Sequence, residues 1–218
     1  MPCPVLSIYM IIGTVSTNQH EILRHVLDLY LPGQPTFELD PTYGAGAFYK
    51  EIPRPEHVYD LHPRDASVGE ADSRELPHLD GSVGSIVFDP PFIHAHGKNS
   101  IMGKRYGSYP SQKLLREMYA DSLKEFHRVL ATNGILVFKC QDVIESGRQV
   151  LTHCHIWRMA EDIGFETLDM FVLVNTSVPL KGWNHVKQYH ARKTHAYFLV
   201  FKKSLRNKKR ILELKDDE

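Results

Sequence analysis

The sequence has few cysteines, no long apolar run and no internal repeat, and each absence excludes a class of protein. Three cysteines in 218 residues give no paired disulfide framework and are typical of a reducing cytosol. The longest apolar stretch, residues 5–12, contains Ser7 and Tyr9, is far shorter than a membrane span and lacks the basic start of a signal peptide. We therefore expect a cytoplasmic protein without a membrane partner, in which residues 5–12 form a strand and residues 1–218 form one domain.

The sequence also lacks a convincing metal-binding pattern. Histidine and cysteine occur in two short groups, His-Ala-His at 94–96 and His-Cys-His at 153–155. Side chains two residues apart on a helix diverge, and no second cluster has zinc-ligand spacing. We expect no metal site.

Net charge is absent too, since 26 Lys and Arg residues balance 26 Asp and Glu residues, but the charges are segregated. Residues 90–116 carry five basic residues and residues 170–212 carry ten, and neither stretch contains an acid. Basic stretches with interleaved aromatic rings attract polyanions and stack unpaired bases. We expect two basic loops, the first at about 92–112 and the second at about 175–195, to contact nucleic acid.

The alternative is that these loops are solvated and their charge is accidental. A mixed basic and acidic tail at about 202–218 is weaker evidence, because such tails are often only solubilising. The candidate nucleic-acid contacts are His94, Lys98, Lys104, Arg105, Tyr106, Trp183, Lys187, Arg192 and Lys193.

The most informative motif is Asp89-Pro90-Pro91-Phe92, which follows the apolar run 85–88. An amino group on an aromatic ring is a poor nucleophile, and acceptors are needed to draw its nitrogen toward tetrahedral geometry. Asp89 and the Pro90 carbonyl supply such acceptors, while Pro91 fixes the backbone and Phe92 offers a stacking face. The alternative is a strand that ends in an ordinary Asp-Pro turn.

A glycine loop lies upstream of this motif, where the apolar residues 37–39 run into a small-residue turn. Gly44 and Gly46 can adopt backbone angles closed to other residues and allow the chain to approach a ligand closely. A lone G-x-G is weak evidence for a binding site. It becomes stronger because D-P-P-F follows it 45 residues later.

The glycine loop and the D-P-P-F motif resemble motif I and motif IV, [DNS]-P-P-[YFW], of the S-adenosylmethionine-dependent methyltransferases that act on amino groups of nucleic-acid bases. The resemblance covers most of the chain. It implies S-adenosyl-L-methionine as cofactor, with the two glycines at its methionine and sulfonium part. It also implies catalytic roles for Asp89, Pro90, Pro91 and Phe92.

The resemblance further implies an acid at the ribose hydroxyls, Asp60, and an acid at the adenine amino group, Asp72. For either residue the alternative is a solvated loop acid. Pro41 departs from the usual pattern and leaves open whether Asp40 or Thr42 faces the cofactor. The full set of candidate cofactor-binding residues is Asp40, Thr42, Gly44, Gly46, Asp60 and Asp72.

Alternating strands and helices predict an α/β fold with a mostly parallel sheet and helices on both faces. Residues 165–174 and 196–201 read as strands without an intervening helix, so they should pair as an antiparallel hairpin, the ending of a Rossmann-like methyltransferase sheet. Helices are expected after a cap at Ser16 or Asn18, after the glycine loop, from about Leu115 to Asn133-Gly134, and over 148–163 up to Gly164.

The predicted reaction is methyl transfer to the exocyclic amino group of a base, with adenine N6 in DNA first. In the family, an Asp before Pro-Pro accompanies adenine, whereas Ser is more usual for cytosine N4. An RNA base, at adenine N6 or guanine N2, is the alternative, because this chain has room for only two recognition loops. A protein methyltransferase and a noncatalytic nucleic-acid-binding module are further alternatives. The sequence sets no oligomeric state.

Overall fold

An eight-stranded sheet forms the centre of the computed structural model, which describes residues 11–93, 109, 111–176 and 189–204. The strands of this sheet are β1 (Val15–Ser16), β2 (Leu39–Asp40), β3 (His57–Asp60), β4 (Gly69–Glu70), β5 (Val83–Phe88), β6 (Leu130–Cys140), β9 (Phe165–Val174) and β10 (His195–Lys203). Two short strands, β7 (Val143–Glu145) and β8 (Arg148–Val150), form a separate hairpin. The helices are α1 (Gln19–Tyr30), α2 (Gln112–Val129) and α3 (Thr152–Ile163).

The order of the sheet is β1-β9-β10-β6-β5-β2-β3-β4. Strands β4, β3, β2, β5 and β6 are parallel to one another, whereas β10 is antiparallel to both β6 and β9. This confirms the predicted Rossmann-like sheet with an antiparallel last strand.

Helices cover both faces because side chains alternate along the central strands. In β5, Ile86 and Phe88 pack with α2 and α3, whereas Val87 packs with α1 on the opposite face. Asn18 caps α1 by accepting a hydrogen bond from the amide of His20 at 2.9 Å. Of the helices in the described residues, none has the length and apolar character needed to cross a membrane.

Three local predictions were wrong. Residues 43–50 form turns, because Gly44 and Gly46 both have positive φ, which interrupts a helix. Asn133-Gly134 lies inside β6 and does not end a helix: α2 stops at Val129, and residues 131–134 bulge out between two registers of β5 with β6. Residues 148–150 are a strand, because the Ser146-Gly147 turn, with φ of +49° and +75°, closes a hairpin.

The strand expected at 5–12 lies almost wholly outside the described residues. Gly164 ends α3 as predicted, with φ of +123° and its amide bonded to the carbonyls of Ala160 and Glu161.

Candidate active site

The carboxyl ends of the parallel strands meet at one edge of the sheet, and the predicted acids lie there. Strand β2 ends at Asp40 and β3 ends at Asp60. Asp72 follows β4 by two residues, and Asp89 directly follows β5. Ligands of open α/β sheets bind at this edge, so the fold brings these four acids to the expected place.

A cleft opens at this edge and joins the two motifs. Its walls include Thr42 and Asp60, near the ends of β2 and β3, and the Pro90-Pro91 turn after β5. The described residues that line it are Pro41, Thr42, Asp60, Leu61, Ala71, Asp72, Ser73, Phe88, Pro90, Pro91, Tyr109 and Met118. This set contains two carboxylates and no Lys or Arg.

Asp40 lies behind the cleft wall and not on it. Its side chain is 2% exposed. One carboxylate oxygen accepts from the Thr42 amide at 2.7 Å and the Thr42 hydroxyl at 3.1 Å, and the other accepts from the Tyr49 hydroxyl at 2.6 Å. The Thr42 hydroxyl in turn accepts from the Asp89 amide at 2.9 Å. Thr42 therefore faces the cleft and links the buried acid to the D-P-P-F turn.

Burial raises the pKa of Asp40 from its ordinary value of 3.8 to about 7, although the hydrogen bonds from Tyr49 and Thr42 oppose the rise. The nearby charge of Asp89 adds to it. The buried carboxyl thus changes charge near neutral pH.

This pKa predicts a pH dependence of stability. The folded protein keeps the Asp40 proton from about pH 4 to about pH 7, where the unfolded chain has lost it, so the free energy of unfolding should fall as pH rises through this window. Urea denaturation at several pH values should show this decline in the wild type and a weaker decline in Asp40→Asn. The same slope in both proteins would contradict the assignment.

The glycine loop is fastened to the neighbouring strand. The Gly44 amide donates to Asp60 Oδ2 at 3.0 Å, and Asp60 Oδ1 accepts from the His62 amide at 2.9 Å. The rings of Tyr43 and Tyr49 stack with centroids 5.4 Å apart. Asp60 therefore shapes the loop as well as lining the cleft.

Asp72 lines the cleft with its carboxylate already engaged. It accepts from Nε and Nη2 of Arg74 at 2.9 and 2.5 Å, and from the Arg74 amide at 2.9 Å. The Arg74 hydrogen bonds hold the pKa of Asp72 below its ordinary value. Any ligand amine would have to share this carboxylate with Arg74.

The D-P-P-F turn meets the cleft through Pro90 and Pro91, whereas Asp89 is not among the described lining residues. The Asp89 side chain is 32% exposed. The Tyr119 hydroxyl donates a hydrogen bond to the Pro91 carbonyl and so fixes the turn. Among the described residues, no donor bonds the Pro90 carbonyl, which leaves it available to an incoming amine.

Lys139, which the sequence analysis missed, lies beside Asp89. Its Nζ is 3.2 Å from Asp89 Oδ2, and its side chain is only 12% exposed. The signal in the sequence is a lysine within the apolar strand residues 135–140. Tyr49 and Tyr119, which hold Asp40 and Pro91, were also missed, because their contacts arise only from the fold.

The predicted nucleic-acid contacts are largely beyond what the structure describes. Arg192 is exposed and Lys193 partly exposed, just before β10. Lying outside the described residues are His94, Lys98, Lys104, Arg105, Tyr106, Trp183 and Lys187.

Of the two histidine groups, the structure describes the one at 153–155. His153 Nδ1 is 2.7 Å from Asp142 Oδ1, and the Cys154 sulfur is 3.3 Å from His153 Nε2. The part of the chain that is described contains no group of three or more His, Cys, Asp or Glu side chains placed to hold a metal ion.

No protein-family model matches the chain. TrmN from Thermus thermophilus superposes with a TM-score of 0.51 at 17% identity, over 84% of this chain and 48% of TrmN. A protein described as a sarcosine dimethylglycine methyltransferase, from Galdieria sulphuraria, gives 0.51 at 14% identity over 85% of each chain. These likenesses show that the chain has the Rossmann-like fold of class I methyltransferases.

Two other comparisons found weaker similarity. Three structures of a protein described as a DNA modification methylase, also from Thermus thermophilus, match with TM-scores of 0.41 to 0.43 at 20% to 21% identity, over 62% to 63% of this chain. The chain spans 51% to 55% of their length, which is about half. A curated adenine phosphoribosyltransferase from Roseiflexus sp. (strain RS-1) is 23% identical over 159 residues, which are 69% of this chain and 86% of that protein.

Proposed function

We propose that the chain is an S-adenosyl-L-methionine-dependent methyltransferase that acts on the exocyclic amino group of a nucleic-acid base, with adenine N6 in DNA as the first substrate. One observation carries the proposal: one cleft at the carboxyl edge of the sheet is lined by Asp60, which bonds the glycine loop, and by the Pro90-Pro91 turn. A ligand bound in the cleft therefore lies against Pro90, the residue that directly follows Asp89. This is the arrangement that transfer to an amine held at D-P-P-F requires.

The chemistry of the cleft suits this cofactor. S-adenosyl-L-methionine has ribose hydroxyls, an amine and a sulfonium but no phosphate, and Asp60 and Asp72 offer acceptors to such groups. Phosphate-bearing ligands are usually held by Arg, Lys or the amides of a helix start. The described lining residues include no basic side chain. We therefore do not propose phosphoribosyl transfer, the activity named for the curated relative, as the activity of this chain.

The D-P-P-F turn would hold the substrate amine. Asp89 and the Pro90 carbonyl accept its two N–H bonds and turn its lone pair toward the cleft, while Phe92 stacks on the ring. When bound, the cofactor would supply an electrophilic methyl group on its sulfonium. The substrate nitrogen would take this methyl group from the sulfur and would shed a proton, which Asp89 or water would accept.

The D-P-P-F motif resembles that of enzymes acting on adenine N6, and we place DNA before RNA as the polymer. The exposed Arg192 and partly exposed Lys193 stand at the start of β10, on the second basic loop, where a polyanion could be held. The same hydrogen-bond acceptors and basic residues would bind an RNA base, at adenine N6 or guanine N2, and RNA is the second candidate substrate. A protein amide is the third.

Mass spectrometry of nucleosides tests the proposal. Purified protein is incubated with labelled S-adenosyl-L-methionine and either DNA or RNA, and the digested nucleosides are analysed. We expect label in N6-methyl-2′-deoxyadenosine. Label confined to a ribonucleoside would move the substrate to RNA, and label in no nucleoside would overturn base methylation.

A further inference from the structure

A buried lysine stands beside the proposed amine acceptor. Residues Phe88 and Phe138 are paired between the parallel strands β5 and β6, so Asp89 and Lys139 emerge side by side from adjacent strands. The Lys139 ammonium is 3.2 Å from Asp89 Oδ2, and its side chain is 12% exposed. Burying an ion pair costs more desolvation than an apolar side chain of similar size would, so stability alone does not explain this lysine.

Aromatic rings hold the ammonium in place. Its Nζ lies 4.8 Å from the ring centre of Phe48, 5.5 Å from that of Phe198 and 5.8 Å from that of Phe92. Phe92 is the ring proposed to stack on the base. The ammonium is therefore close to the edge of a base stacked there.

The ammonium also has a donor to spare. A lysine carries three N–H bonds. Within the described part of the chain, its acceptors are Asp89 Oδ2 at 3.2 Å and Gln19 Oε1 at 3.4 Å. One N–H is left for an acceptor supplied by a ligand.

We infer that Lys139 donates this hydrogen bond to the ring nitrogen next to the amino group that is methylated, so that Asp89 and Lys139 together read one edge of the base. In adenine the N6 amino group is a donor flanked by two acceptors, N1 and N7. Asp89 accepts from the amine and Lys139 donates to one of these nitrogens. The inference rests on the proposed function and makes Lys139 a specificity-determining residue of that site.

Atom replacement in the substrate tests this pairing. Oligonucleotides that contain adenine, 1-deazaadenine or 7-deazaadenine at the methylated position are compared with the wild type, Lys139→Met and Lys139→Gln. A hydrogen bond to a charged donor contributes about 1.5 to 3 kcal/mol, so the wild type should lose about tenfold or more in kcat/KM on one deaza substrate. Lys139→Met should lose a similar factor on adenine and nothing further on that deaza substrate.

Lys139→Gln retains a donor and should keep part of the discrimination. If thermal unfolding shows that Lys139→Met is unstable, the discrimination is measured with Lys139→Gln instead. If Lys139→Met, or Lys139→Gln where Lys139→Met does not fold, discriminates against the deaza substrates as strongly as the wild type, the inference is wrong. The same holds if the wild type accepts both deaza substrates like adenine. Absence of any methylation of the adenine oligonucleotide by the wild type would instead overturn adenine N6 in DNA as the proposed substrate.

Discussion

Replacing Asp89 with alanine should lower the rate of methyl transfer about a hundredfold or more and leave cofactor affinity nearly unchanged. Loss of one aligned acceptor in an active site costs about 3 kcal/mol, which corresponds to that factor. Cofactor affinity should survive, because Thr42 and Asp60 line the cleft independently of the Asp89 side chain. The Thr42 hydroxyl bonds the Asp89 amide, which alanine retains.

Asp89→Asn is the matched control for this prediction. It keeps one oxygen acceptor but loses the charge that pairs with Lys139, so its rate should lie between those of the wild type and Asp89→Ala. Single-turnover methylation gives the rate, and titration calorimetry gives cofactor affinity. Near-normal turnover in Asp89→Ala would remove Asp89 from the chemistry, and an equal loss of rate and cofactor affinity would make its role structural.

Much of the sheet was predictable from the sequence, because several of its strands carry their own signal. Residues 85–88 form an apolar run before a Pro-rich turn, and residues 165–174 and 195–203 follow one another without a helix. The antiparallel pairing of β10 with β9 follows from that hairpin. The missed β7–β8 hairpin also had a signal, the Ser146-Gly147 pair, but it lay within a stretch that resembled a helix.

The contacts within the site were less predictable, because they join residues that are distant in sequence. The sequence left open whether Asp40 or Thr42 faces the cofactor. The fold separates them: Asp40 is buried beneath the loop and Thr42 lines the cleft. The pairing of Lys139 with Asp89 depends on the register of β5 with β6, which apolar patterns alone do not set.

The glycine loop connects to the D-P-P-F turn through one chain of contacts. Tyr49 donates to buried Asp40, Asp40 accepts from Thr42, and Thr42 accepts from the Asp89 amide. The Tyr49 ring is stacked on Tyr43. A disturbance at Tyr43 should therefore reach both the cofactor cleft and the amine acceptor.

Gly46→Ala should cause such a disturbance and weaken cofactor binding about tenfold, or about 1.4 kcal/mol. Gly46 has φ of +69°, and a Cβ there would lie 2.6 Å from the Tyr43 hydroxyl oxygen and 2.9 Å from its ring carbon Cζ. The left-handed backbone alone should cost about 1 to 2 kcal/mol of folding free energy. The contact adds a shift of Tyr43, and through Tyr49 a shift of the site.

Gly33→Ala separates the cost of the left-handed backbone from the effect of the contact with Tyr43. Gly33 has φ of +84°, but a Cβ there would meet nothing within 4 Å. Both variants should lose similar backbone stability in urea denaturation, whereas only Gly46→Ala should bind S-adenosyl-L-methionine more weakly in titration calorimetry. Equal cofactor affinity in the two variants would show that Tyr43 is not coupled to the cleft. Weaker binding in Gly46→Ala alone would show that the cofactor site requires a glycine at this position, where a Cβ would meet Tyr43.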